Sequence, residues 1–266
     1  MADLSVFPYY YPTTVALIDD NPAFLQSLSL QLHEDLAYLL YTRPQEALAR
    51  INRPRDEEPL YRRVFRREEQ DRSADRVIHL DLALIEREIS NPARFEDISV
   101  VVVDYDMPAM NGLEFCHAVQ DSRVKKVLFT GVADEKVAVR AFNEGAIDRF
   151  ILKNQSDAVS IVNQTIAELQ RAYFREISSA LTSTLMVDPP GFLTDPVFLR
   201  MFHDLMREGR IIEYYLVSDP LGFLMLSDQG EISRLIVMEK QELEAQARGA
   251  REQGAPDHIV ASIESG

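Results

Sequence analysis

Five residues stand where short apolar runs end, and their types suit phosphorus chemistry. Asp19 and Asp20 follow "TVALI", Asp104 follows "ISVVVV", Thr130 follows "KKVLF" and Lys153 follows "RFIL". If the runs are neighbouring strands of one sheet, three carboxylates, a hydroxyl and an ammonium converge at one edge. Crowded carboxylates repel one another unless a cation joins them. A hard divalent ion with oxygen ligands suits such a set, and Mg²⁺ is the expected one. The Lys153 ammonium and Thr130 hydroxyl would then surround an incoming phosphoryl group. Asp104 becomes the nucleophile, and its attack on a phosphorylated donor gives an acyl phosphate.

The pattern along the chain supplies that sheet. "TVALI" (14–18), "LAYLLYT", "ISVVVVD", "KKVLFTG" and "DRFILK" read as five strands, each followed by a helical stretch. "ISVVVV" shows no polar alternation, as expected for a parallel strand covered on both faces. Strand–helix alternation predicts a doubly wound α/β fold with right-handed crossovers. Ligands in such sheets bind beyond the carboxyl ends of the strands. Pro22 and Pro44 suit the first turns of their helices, and Gly145 suits the end of "DEKVAVRAFNEG".

The quoted residues resemble the receiver domain of two-component response regulators. The matching stretches are "LIDD" at 17–20, "VVVDYDMPAMNG" at 101–112, "LFTG" at 128–131 and "FILK" at 150–153. The resemblance spans residues 13–168 and implies a flavodoxin-like five-stranded sheet of order 2-1-3-4-5. It implies Asp104 as phosphoacceptor. It implies Mg²⁺ held by Asp20, Asp104 and the backbone carbonyl of Asp106, with Asp19 helping through water. It implies that Thr130 and Lys153 contact the phosphoryl oxygens. Phe150 takes the aromatic switch position that moves with Thr130, and Pro108 and Gly112 shape the loop after Asp104. The partners implied are a histidine kinase or a histidine phosphotransfer protein. Asn154 stands where the family usually has proline, a departure in the loop after the fifth strand. Residues 53–97 lengthen a connection that is short in typical receivers.

That insertion holds 10 of the 28 Lys/Arg but also 12 Asp/Glu, and it reads as a charged surface excursion. Within it "HLDLALIEREI" reads as an amphipathic helix ended by Asn91–Pro92. The fifth helix starts near residue 156 and runs on. Val162, Ile166, Leu169 and Tyr173 alternate spacings of four and three, a coiled-coil-like seam that Glu176 breaks. The stretch 169–187 is therefore either a dimer stalk or a helix folded back on its own domain. Residues 188–266 read as a small α+β module: a helix capped by Asp195, three antiparallel strands, and two more helices.

Several function classes recede. The net charge of −15, with 9 basic and 17 acidic residues over 154–266, argues against DNA binding through phosphate contacts. No apolar run is long enough to cross a bilayer, and the first residues lack the pattern of a secretory signal. The one cysteine, Cys116, excludes an intrachain disulfide and fits a reducing cytoplasm. "EAL" at 46–48 and His203–Asp204 match fragments of phosphodiesterase and phosphohydrolase motifs without the further ligands those sites need. The leading expectation is a phosphorylation-controlled regulator acting through protein–protein contacts. The alternatives are an output enzyme, or a small-ligand or nucleotide-binding module, under receiver control.

Overall fold

The computed structural model describes residues 6–54, 60–67, 78–131, 140–185, 190–238 and 240–265. In chain order the first elements are strands β1 (Tyr9–Tyr10) and β2 (Thr14–Ile18), helix α1 (Pro22–Ser29), β3 (Tyr38–Tyr41) and helix α2 (Pro44–Ile51). The insertion holds α3 (Leu60–Arg63), β4 (Phe65–Arg67), β5 (Ile78–Leu80), α4 (Leu82–Glu88) and a 3-10 turn, Pro92–Glu96. Then come β6 (Ile98–Val103), α5 (Gly112–Ala118), β7 (Lys125–Thr130), β8 (Arg149–Leu152) and the long α6 (Ala158–Leu185). The last part contains α7 (Pro196–Glu208), β9 (Ile211–Ser218), β10 (Leu221–Ser227), β11 (Ile232–Ile236), α8 (Lys240–Glu252) and α9 (Asp257–Ser265).

The parallel sheet has the order β3-β2-β6-β7-β8, which is the predicted 2-1-3-4-5 among its five strands. All six residues of β6 are buried, Ser99 included, which explains the absence of polar alternation. On one face Ile18, Val101, Val103 and Leu128 pack with Ala47 of α2 and Phe115 of α5. On the other, Leu17, Val102 and Phe129 pack with Leu25 of α1 and Val162 and Ile166 of α6. Each such side chain fully buried contributes about 1.5–3 kcal/mol, so the two faces hold the strand ends firmly. The helix expected over 134–145 lies largely outside the described residues. Its end is present: Gly145 has φ 68° and the Ala146 N–H donates to the Ala141 carbonyl at 2.9 Å.

Two expectations need correction. Among the described residues the antiparallel sheet has four strands, not three, in the order β1-β9-β10-β11. The extra strand comes from the N-terminus, with Tyr9 opposite Tyr215 and Tyr10 opposite Tyr214. The stretch from His79 does not start a helix; it finishes β5, which pairs with β4, and α4 follows. Of the two readings of the long helix, the packing of Val162, Ile166, Leu169 and Tyr173 favours a helix laid on its own chain. Val162, Ile166 and Leu169 pack on the parallel sheet, and Tyr173 enters an aromatic cluster with Tyr9, Tyr11, Phe174 and Tyr215. Glu176, the residue that breaks the seam, pairs with the buried Lys125 at the start of β7.

The insertion is more than a solvated excursion. Leu60, Val64 and Ile85 join the same aromatic cluster. Glu88 is buried and paired with Arg63 at 2.8 Å. Arg94, 7 % exposed, donates from Nε to Glu213 Oε1 of β9 at 2.8 Å. Tyr215 Oη donates to the same Glu213 oxygen at 2.5 Å, and burial pushes the Tyr215 phenol well up, with the Glu213 bond adding to it. Charged residues of the insertion thus meet the antiparallel sheet across a largely dry joint.

Candidate functional site: an acidic pocket at the strand ends

Backbone pairing brings the candidate residues together. Ile18 lies opposite Val103, so Asp19 and Asp104 leave their strands side by side. The Asp104 N–H donates to the Ile18 carbonyl at 2.9 Å. Thr130 lies opposite Leu152, and the Lys153 N–H donates to the Thr130 carbonyl at 2.8 Å. Asp19, Asp104 and Thr130 are nearly buried, at 3 %, 8 % and 1 % exposure. Asp20 and Asp106 are exposed, and Phe150 is half-buried on β8.

Asp19, Asp20 and Asp104 each offer an oxygen atom within 4.8 Å of the others. That spacing and donor set fit a hard divalent cation. Lys153 reaches into the same pocket. Its Nζ is 2.5 Å from Asp19 Oδ2 and 2.9 Å from Asp104 Oδ1. The second Asp19 oxygen accepts the Asn21 N–H at 2.9 Å. Two partly buried carboxylates are therefore each met by a positive charge, and Asp20 faces the open side.

The loop after β6 is built around one close approach. The Gly112 N–H donates to the Tyr105 carbonyl at 3.0 Å, which folds residues 105–112 back on the strand end. A Cβ on Gly112 would lie 2.4 Å from the Asp104 carbonyl oxygen and 2.7 Å from Leu128 Cδ1. Only glycine fits there. Ala109 takes φ 68° just past Pro108, which turns the loop sharply. Asn111 then caps α5 in a reciprocal box with Glu114. The Asp106 carboxylate, in this loop, lies in solvent.

Two contributors escaped the sequence reading. Asn21 both holds Asp19 and caps α1, accepting from the Ala23 and Phe24 N–H groups at 3.1 Å. "Asn-Pro" directly after the acidic pair was the available signal. Phe24 puts its ring 4.3 Å from Lys153 Nζ. At sequence level it looked like an ordinary apolar position of α1.

The family model of the response regulator receiver domain matches residues 56–163. The match leaves out β2, although the structure places that strand inside the sheet between β3 and β6; the insertion lies between it and β6 in the chain. The structure of the Legionella pneumophila response regulator LqsR superposes with a TM-score of 0.75 at 38% identity, covering 98% of this chain and 77% of that chain. A CheY-like receiver domain protein from Methanospirillum hungatei JF-1 gives a TM-score of 0.41 at 18% identity, over 62% of this chain and 98% of that one. The Vibrio cholerae chemotaxis protein CheY4 gives 0.39 at 15% identity, over 59% and 98%. No curated protein matches the chain.

Proposed function

This chain belongs to the response regulators of two-component signalling, and on that premise we propose that Asp104 accepts a phosphoryl group that controls the joint with the antiparallel sheet. The observation that carries this reading is the single ammonium of Lys153 lying between Asp19 and Asp104, with Asp20 at the open side. Asp104 is the one of these carboxylates set at the root of the loop built around Gly112.

In the reaction, an Asp104 carboxylate oxygen forms the new bond to phosphorus as the bond to the donor's leaving group breaks. The electron pair of that bond leaves with the donor. Lys153 turns from its carboxylate partners to the phosphoryl oxygens, and the Thr130 hydroxyl closes on them from β7. Asp19, Asp20 and Asp104, with the Asp106 backbone carbonyl, are the residues suited to hold Mg²⁺. When bound, that ion would neutralise charge on the transferred group. Thr130 and Phe150 form the switch in this reading.

Residues 13–168 act as the receiver unit, 169–187 as the helical extension and 188–266 as the output module, with β1 added to the output sheet. The donor is a histidine kinase or a histidine phosphotransfer protein. A change at Thr130 has a route along the whole length of β7. Lys125 of β7 is bound to Glu176 of α6, and Tyr173 and Phe174 of α6 pack on Tyr9 and Tyr11 beside β9. The output of that change is an altered protein-binding surface. Incubation with acetyl phosphate and Mg²⁺ tests the reading: the wild type takes up one phosphoryl group and Asp104→Asn takes up none. Equal uptake by the two proteins overturns it. No described helix is long and apolar enough to cross a membrane.

A further inference from the structure

The Lys153 side chain is held by a group that no acid–base bookkeeping reveals. Its Nζ lies 4.3 Å from the Phe24 ring centroid and 5.9 Å from that of Phe129. The two rings touch each other, with centroids 5.8 Å apart and planes at 49°. Lys153 is 18 % exposed, so an aromatic wall stands beside a cation that still meets water. A ring face attracts an ammonium through its quadrupole.

Phe24 is itself fixed from two sides. Asn21 caps α1 through the Phe24 N–H, so the first turn cannot rotate freely. Phe129, the residue before Thr130, backs the ring from β7. Lysine carries four flexible carbons and loses considerable rotamer freedom when held. Carboxylates alone hold the ammonium only until a phosphoryl group arrives and the charges rearrange. A ring with no charge still holds it while those bonds are exchanged, so its attraction counts most in the transition state, when the carboxylates have let go.

Resting on the phosphoacceptor reading above, we propose that Phe24 is a positioning residue: its ring holds the Lys153 ammonium over the pocket while the partners of that ammonium change from carboxylate to phosphoryl oxygens. The ring touches neither Asp104 nor the donor in this role and acts only through Lys153. A contact of this kind at a partly exposed cation corresponds to about fivefold in rate.

The test compares Phe24→Leu and Phe24→Tyr in the full chain, each also combined with Lys153→Met. Phosphate uptake from acetyl phosphate is one readout. The carbon-attached proton resonances of the Lys153 ε-methylene, in protein carrying ¹³C-lysine, are the other. The proposal expects upfield-shifted ε-methylene resonances in the wild type and in Phe24→Tyr, and their loss in Phe24→Leu. It expects Phe24→Leu to slow uptake about fivefold, Phe24→Tyr to stay within about twofold, and Phe24→Leu to add nothing once Lys153 is Met. Undiminished uptake by Phe24→Leu overturns the assignment alone, as does a slowing that persists in the Lys153→Met background. A wild type that takes up no phosphate overturns the phosphoacceptor reading and this assignment with it.

Discussion

Lys153 Nζ stands 2.9 Å from Asp104 Oδ1 and 2.5 Å from Asp19 Oδ2, so one ammonium ties together the ends of β2, β6 and β8. It occupies oxygens that a divalent cation would share. Replacing it by an uncharged side chain therefore acts in two directions. Lys153→Met is expected to bind Mg²⁺ at least as tightly as the wild type, by titration calorimetry, because the competing cation is gone. Its phosphate uptake should fall by about two orders of magnitude, because charge on the transferred group is no longer met. Weakened Mg²⁺ binding with normal uptake would reverse both expectations.

Gly112 is the backbone counterpart of that arrangement. An added methyl would press on the Asp104 carbonyl at 2.4 Å, and backbone cannot step aside as a flexible side chain can. Gly112→Ala is expected to lose about 1–3 kcal/mol in urea denaturation. Phosphate uptake should fall in the protein that remains folded, since the displaced loop starts at the acceptor. Unchanged stability and uptake would mean that the loop is looser than its packing indicates.

The joint between the insertion and the antiparallel sheet depends on a buried charge pair. Arg94 and Glu213 are 7 % and 1 % exposed. Arg94→Met leaves the Glu213 carboxylate buried with only the Tyr215 hydroxyl on the same oxygen, and about 3–5 kcal/mol of stability should be lost. Combining Arg94→Met with Glu213→Gln should recover part of that loss in the same denaturation experiment. A double variant as unstable as the sum of the two singles would contradict a direct pair.

Cys116 gives a pH signature of the receiver core. Burial pushes its thiol up from 9.0 to about 12, with Asp148 adding to the rise and Lys126 opposing it. The folded state thus favours the neutral thiol. Its contribution to stability is complete below about pH 9 and is lost as pH climbs toward 12. The native protein should leave Cys116 unreacted with a thiol reagent at pH 8, and urea should expose it. Between pH 9 and 12 the melting temperature should fall more steeply for the wild type than for Cys116→Ala.

The parts legible in the sequence are those fixed by local pattern. β2, β6 and β7 are buried strands with apolar stretches ("VALI", "VVVV", "VLF"), and each stretch ends at a polar residue that the sheet then collects. Asp19, Asp20, Asp104, Thr130 and Lys153 could be named because strand ends in a parallel sheet share one edge. The joint could not be read this way. β1 is only two residues long, and its partner strand lies some two hundred residues away. Arg94 and Glu213 are 119 residues apart, and neither signals that the other will bury it. Opposite charges across 53–97 look like a solvated surface until the fold pairs Arg63 with Glu88. The "YYY" at 9–11 was the one visible hint, because tyrosines favour half-buried strands. Phe24 stayed hidden for a different reason: a ring beside a cation and a ring in a core have the same spacing.

The most direct test traps the acceptor itself. Protein treated with acetyl phosphate and Mg²⁺ is reduced with borohydride, which converts a phosphorylated aspartate into homoserine, and its peptides are sequenced. Homoserine at position 104, and only there, is the expected result. Homoserine at another aspartate, or none in protein that has taken up phosphate, would contradict the account.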